Sequence, residues 1–288
     1  MNKCTQYRTL IDADTLRTNL TDSGWRVIDC RHDLSHPASG PQAYARGHIA
    51  GAVYAQLDRD LSGAKTGRNG RHPLPSPDQL AECFRRWGID QGTQIVVYDE
   101  QGGAYAGRLW WLARWLGHGR VALLDGGWQA ALEAGLPMER APANPQRGGF
   151  ERTTALTHAV DVERVQSARS DPHWLIVDAR APDRYAGENE TIDPVGGHIP
   201  GAANRFWQTN LGPGGSFKSP DQLRSEFEAL LDGRPPSQVI FQCGSGVTAC
   251  HHLVAMQHAG LSEANLYPGS WSEWISESTR PIAIGRQR

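Results

Sequence analysis

Val239-Ile240-Phe241-Gln242-Cys243-Gly244-Ser245-Gly246-Val247-Thr248-Ala249 is the stretch that decides how this 288-residue chain folds. An apolar, β-branched run ends, a glycine-rich loop opens on a cysteine, and a helical pattern follows. A cysteine at a strand-to-helix junction meets the conditions for a reactive thiolate. The first half carries a similar stretch, Ile95-Val96-Val97-Tyr98-Asp99, with an aspartate at the cysteine's place. The chain therefore reads as a duplication in which one half keeps the chemistry.

Further blocks recur in the same order. Trp25-Arg26-Val27-Ile28-Asp29-Cys30-Arg31 matches Trp174-Leu175-Ile176-Val177-Asp178-Ala179-Arg180, and Gly47-His48-Ile49-Ala50-Gly51-Ala52 matches Gly197-His198-Ile199-Pro200-Gly201-Ala202. Ser76-Pro77-Asp78-Gln79-Leu80 matches Ser219-Pro220-Asp221-Gln222-Leu223, and Gly127-Trp128 aligns with Ser270-Trp271. Such self-similarity marks two copies of one structural unit.

Within each half, short β-branched runs alternate with helical patterns: Gln94 to Tyr98 then Gly107 to Leu116, and Val121 to Leu124 then Trp128 to Ala134. That alternation predicts an α/β fold, two tandem domains of mainly parallel sheet flanked by helices. Ser76 and Ser219 each stand before a proline, which suits an N-cap. The stripes Leu80, Phe84, Trp87 and Leu223, Phe227, Leu230 then mark the buried faces. The predicted domains are 1–140 and 155–288, joined by a Pro- and Gly-rich linker at 141–154.

The 29 Lys and Arg are scattered among 31 acidic residues for a net charge of -2, so no basic face for nucleic acid is expected. No apolar run approaches the roughly 18 residues of a membrane span, which gives the expectation of a soluble, cytoplasmic protein. Cysteines 4, 30, 83, 243 and 250 are odd in number and form no Cys-x-x-Cys pair, so free thiols are expected. Metal binding at Cys250-His251-His252 is not expected, because adjacent helical residues diverge by about 100°. Cys250 reads as structural, and Trp87, Trp110, Trp111 and Trp115 as packing residues.

The loop after Cys243 can curl so that successive amides of Gly244, Gly246, Val247 and Thr248 point at the sulfur, a nest that holds negative charge. The following helix N-terminus adds a partial positive charge. Cysteine-dependent phosphatases need an arginine six positions after the nucleophile, and Ala249 stands there. A loop without a basic side chain suits a smaller, softer electrophile such as sulfur.

Together the paired halves, the Gly-His-Ile-Pro-Gly-Ala block and Cys-Gly-Ser-Gly-Val-Thr-Ala resemble the two-domain rhodanese-like sulfurtransferases, with a loop of the mercaptopyruvate-using type. The resemblance covers nearly the whole chain. It implies a catalytically silent first half, which fits Asp99, and an active site between the domains. It also implies a Ser-His-Asp arrangement near Cys243, carried here by Ser245, His72 and Asp58, and a carboxylate-binding arginine, Arg184. A second substrate arginine, found in several mercaptopyruvate enzymes, would fall near 191–193, where this chain has none. His48 and His198 occur in both halves and so read as structural.

The function this implies is transfer of sulfur from 3-mercaptopyruvate, through a Cys243 persulfide, to cyanide or to a thiol such as a thioredoxin-type protein, with no cofactor. Thiosulfate is the alternative donor. It is a dianion that gains from cations, whereas mercaptopyruvate carries one carboxylate and a keto group that neutral donors can hold. A non-catalytic persulfide carrier is the second alternative.

Overall fold

The computed structural model describes residues 6–286. In the first half, strands β1 (Leu10–Ile11), β2 (Trp25–Asp29), β3 (His48–Ile49), β4 (Val53–Tyr54), β5 (Gln94–Tyr98), β6 (Val121–Leu124) and β7 (Met138–Glu139) form two sheets. The main one has the order β1-β6-β5-β2-β4 and every pairing in it is parallel; β3 and β7 pair antiparallel. In the second half, β8 (His158–Ala159), β9 (Leu175–Asp178), β10 (Ala203–Asn204), β11 (Val239–Gln242) and β12 (Asn265–Leu266) form one parallel sheet, β10-β9-β11-β12-β8. The two orders match strand for strand, so the duplication read from the sequence is a duplication of topology.

The matched blocks also make matched contacts. Arg31 clamps Asp29 and donates to the Gly47 carbonyl; Arg180 does the same with Asp178 and Gly197. His48 stacks on Tyr44 with ring centroids 3.8 Å apart, and His198 on Tyr185 at 3.7 Å. In each pair the imidazole Nδ1 also hydrogen-bonds that tyrosine's carbonyl. Both histidines thus tie a helix end to the turn that follows.

Helix Pro77–Arg86 opens with the expected cap, Ser76 accepting from the Gln79 amide and the Gln79 side chain returning the bond. Leu80, Phe84 and Trp87 are buried as their spacing requires. In helix Pro220–Leu231 the stripe shifts slightly: Leu223 and Phe227 are buried, but Leu231 takes the core position expected for Leu230, which stays half-buried. Trp87, Trp110 and Trp111 lie in the core, and Trp115 packs on Trp111 from a half-buried position.

The chain forms two compact units that are not contiguous in sequence. The first comprises the chain up to Leu61, Pro75–Leu156 and Pro213–Phe217; the second comprises Ser62–Leu74, Thr157–Gly212 and the chain from Lys218. Segment 141–154 is packed along the first unit: the Gly148 amide donates to the Arg85 carbonyl, the Phe150 amide to Ile89, and the Phe150 ring is buried. Segment 62–74, from the first half of the sequence, belongs to the second unit. Gly70 permits this approach, since its φ is +83° and a Cβ there would lie 2.6 Å from the Gly269 carbonyl oxygen.

No helix among the described residues is long and apolar enough to cross a membrane. Cys30, Cys83, Cys243 and Cys250 are free and buried, while Cys4 lies outside the described residues.

Candidate active site

Cys243 follows directly on β11, and helix Ala249–His258 begins six residues later. Its backbone is held from both sides: its amide donates to Ser270 Oγ at 3.1 Å and its carbonyl accepts from the Trp271 amide at 3.0 Å. Ser270 adopts φ +55°, a left-handed conformation uncommon outside glycine, at the position where the first unit has Gly127 at +54°. Its hydroxyl also donates to the Tyr267 carbonyl. Ser270 is a positioning residue that the sequence reading missed; the Ser270-Trp271 match to Gly127-Trp128 was the available signal.

The loop closes tightly. Gly246 has φ +71°, and a Cβ on it would meet the Pro268 carbonyl oxygen at 2.2 Å, so only glycine fits. Among the described residues the amides of Ser245, Val247 and Thr248 carry no hydrogen bond of their own. The loop that follows Cys243 thus holds three backbone donors without a protein acceptor.

Segment 62–74 brings His72 to this loop. Its Nδ1 is hydrogen-bonded to Ser245 Oγ at 2.8 Å, and both side chains are buried. The two residues are 173 positions apart in sequence. Asp58 stands in the short helix Leu57–Asp60 of the first unit, half-buried, where its charge acts on the His32 imidazole. Burial pushes that imidazole below its ordinary value, and Asp58 opposes the push.

Arg184 lies on helix Pro182–Ala186. Its guanidinium engages Glu190 through three contacts of 2.9 to 3.1 Å and Asp193 Oδ2 at 3.1 Å. Burial works against ionisation of Glu190, but Arg184 and the amides of Asp193 and Ile192 outweigh it and hold the carboxyl below its usual range. Asp193 in turn pairs with Arg71, the residue before His72.

Cations reach the loop from elsewhere in the second unit. The loop contributes none, yet a Cβ at Gly244 would lie 3.0 Å from Arg71 Nη2, 3.5 Å from Arg184 Nη2 and 3.6 Å from Asp193 Oδ2. Two guanidiniums therefore stand beside Gly244. No sequence motif marks Arg71.

His251 and His252 do reach a common partner, the Asn210 amide, at 3.0 and 2.9 Å, and His252 Nε2 also bonds the Arg205 carbonyl. These are structural contacts of a buried helix. Among the described residues no group of three or more His, Cys, Asp or Glu side chains could hold a metal.

A duplicated α/β chain whose second copy carries a buried cysteine on a tight loop with unpartnered amides, at the place where the first copy has an aspartate, defines the class to which it is compared. Residues 12–134 and 161–277 each match the model of the rhodanese-like domain, and the chain belongs to that family. It is 44% identical over 278 residues to a probable 3-mercaptopyruvate sulfurtransferase of Pseudomonas aeruginosa, covering 96% of this chain and 98% of that one. A putative thiosulfate sulfurtransferase of Mycobacterium tuberculosis is 36% identical over 263 residues, 90% of each chain. Among solved structures, the 3-mercaptopyruvate sulfurtransferase from Leishmania major superposes with a TM-score of 0.84 at 31% identity, over 95% of this chain and 75% of that one.

Proposed function

We propose that the sulfurtransferase activity of this rhodanese-family enzyme uses 3-mercaptopyruvate as its donor and a Cys243 persulfide as its intermediate. The Cys243 thiolate attacks the donor's sulfur, the carbon–sulfur bond breaks, and its electron pair remains on carbon as the enolate of pyruvate. The proton of the donor thiol ends on that carbon, so pyruvate leaves and the outer sulfur of the persulfide keeps the negative charge. Cyanide or an acceptor thiol then takes that sulfur, giving thiocyanate or a new persulfide, and the Cys243 thiolate is restored.

The observation that carries this reading is the buried His72–Ser245 hydrogen bond on the cysteine loop. A hydroxyl and an imidazole in contact can pass a proton between donor sulfur and enolate carbon. Thiosulfate has no proton to move, so this pair is without purpose for that donor. Arg184 takes the donor's carboxylate, and Gly244, Gly246, Val247 and Thr248 line the anion's path to the sulfur. The part of Asp58 in the relay rests on the resemblance alone. A thioredoxin-type protein is the proposed physiological acceptor.

Thiosulfate remains the second reading because the Arg71 and Arg184 guanidiniums stand beside Gly244, where a dianion would gain from them. Initial rates with cyanide as acceptor separate the two. Mercaptopyruvate should exceed thiosulfate in kcat/KM by roughly tenfold or more. A preference for thiosulfate overturns the donor assignment, and single loading of Cys243 without turnover would make the protein a carrier.

A further inference from the structure

Beside the cysteine loop three guanidiniums, Arg71, Arg180 and Arg184, meet three carboxylates, Asp178, Glu190 and Asp193. Three of these charges stand beside the residue that follows Cys243: Arg71, Arg184 and Asp193 are all within 3.6 Å of the point where a Gly244 side chain would begin. One serine ties Arg71 to Gly244. Ser272 donates its amide to the Gly244 carbonyl at 2.9 Å, and its hydroxyl accepts from the Arg71 amide at 2.9 Å. Asp193 is itself buried, its carboxylate shared between Arg71 and Arg184.

We propose that Asp193 and Arg71 form a charge filter that sets donor specificity, Asp193 cancelling enough of the arginine charge for the site to accept a monoanionic keto acid and reject a dianion. The proposal rests on the donor reading given above and adds the residues that enforce it. Asp193 bridging two arginines shows that both can converge on one carboxylate. A dianion doubles its attraction to the arginines and its repulsion from Asp193 alike, and because three carboxylates offset three guanidiniums its second charge finds little net attraction to repay its larger loss of hydration. Because residues 244 and 245 carry no charge, selection by charge falls to Asp193 and the two arginines it bridges, and Arg71 is the one of the two not already assigned to the donor's carboxylate.

The test compares kcat/KM for mercaptopyruvate and thiosulfate, with cyanide as acceptor, in the wild type, Asp193→Asn and Arg71→Gln. Asparagine keeps an oxygen for the arginines and removes the charge. Asp193→Asn should raise thiosulfate efficiency and move the donor ratio toward thiosulfate by roughly tenfold. Arg71→Gln should move the ratio the other way by roughly fivefold, thiosulfate losing more than mercaptopyruvate. A merely structural ion pair predicts losses with both donors in both variants, and that result overturns the filter, as does a donor ratio within twofold of wild type. Asp193→Ser replaces the asparagine variant if that one does not fold. Failure of the donor reading is separately visible, since it appears in the wild type's preference and the filter is read from the change in ratio.

Discussion

The loops at Asp99 and Cys243 occupy the same point of two equivalent sheets, each following the central strand and leading into a buried helix. In the first, the anion is built into the chain. The Asp99 carboxylate accepts from the amides of Gln101, Gly103, Tyr105 and Ala106 at 2.7 to 2.9 Å. Burial pushes that carboxyl above its ordinary value while the four amides pull it back. In the second, the cysteine brings only a sulfur, and the amides of Ser245 and Val247 have no protein partner among the described residues. One fold motif thus satisfies its own amides with a built-in carboxylate in one copy and leaves amides beside a cysteine unpartnered in the other.

Removing the built-in anion should give the largest effect on stability. Asp99→Ala leaves three buried donors and the half-buried Gln101 amide without an acceptor, and at about 1 kcal/mol for each buried one the first unit should lose about 3 kcal/mol. Calorimetry would show its transition moving down by several degrees, and an unchanged transition would contradict the comparison. On the active side, His72→Gln should lower kcat with mercaptopyruvate by about a hundredfold, roughly 2.7 kcal/mol, with a much smaller change in KM. A rise in KM alone would assign His72 to binding.

The smallest effect concerns a feature the two units share. Burial holds His118 in the first unit below its ordinary value and His252 in the second well below, with the Arg205 charge adding to the effect at His252. The unfolded chain protonates these imidazoles near pH 6.5 while the folded chain resists, so their contribution to stability is present above that pH and lost as pH falls. Below about pH 6 each costs up to about 1.4 kcal/mol per pH unit. Thermal denaturation from pH 7.5 to 5.5 should show this slope, and His252→Phe should flatten it in the second unit only.

How far the sequence carried the reading depends on the range of each interaction. Strand, loop and helix around Cys243 were legible because β-branched runs, glycines and caps act locally. The duplication was legible because Asp29/Arg31 and Asp178/Arg180 keep their spacing in both copies. His72 was found through resemblance, since nothing in Arg71-His72-Pro73 itself indicates a partner 173 residues away. Arg71 and Asp193 were not found at all. Their pairing depends on segment 62–74 joining the second unit, which the 141–154 boundary and the contiguous halves do not imply. Leu231 replacing Leu230 is a smaller case of the same kind, in which tertiary packing outweighs helical phase.

Persulfide formation on Cys243 is tested by mass spectrometry of the enzyme mixed with 3-mercaptopyruvate and no acceptor, followed by digestion. The expected result is a gain of about 32 Da, one sulfur, on the Cys243 peptide alone, reversed by cyanide and absent in Cys243→Ser. No gain, or a gain on the peptides of Cys30, Cys83 or Cys250 in its place, would contradict it.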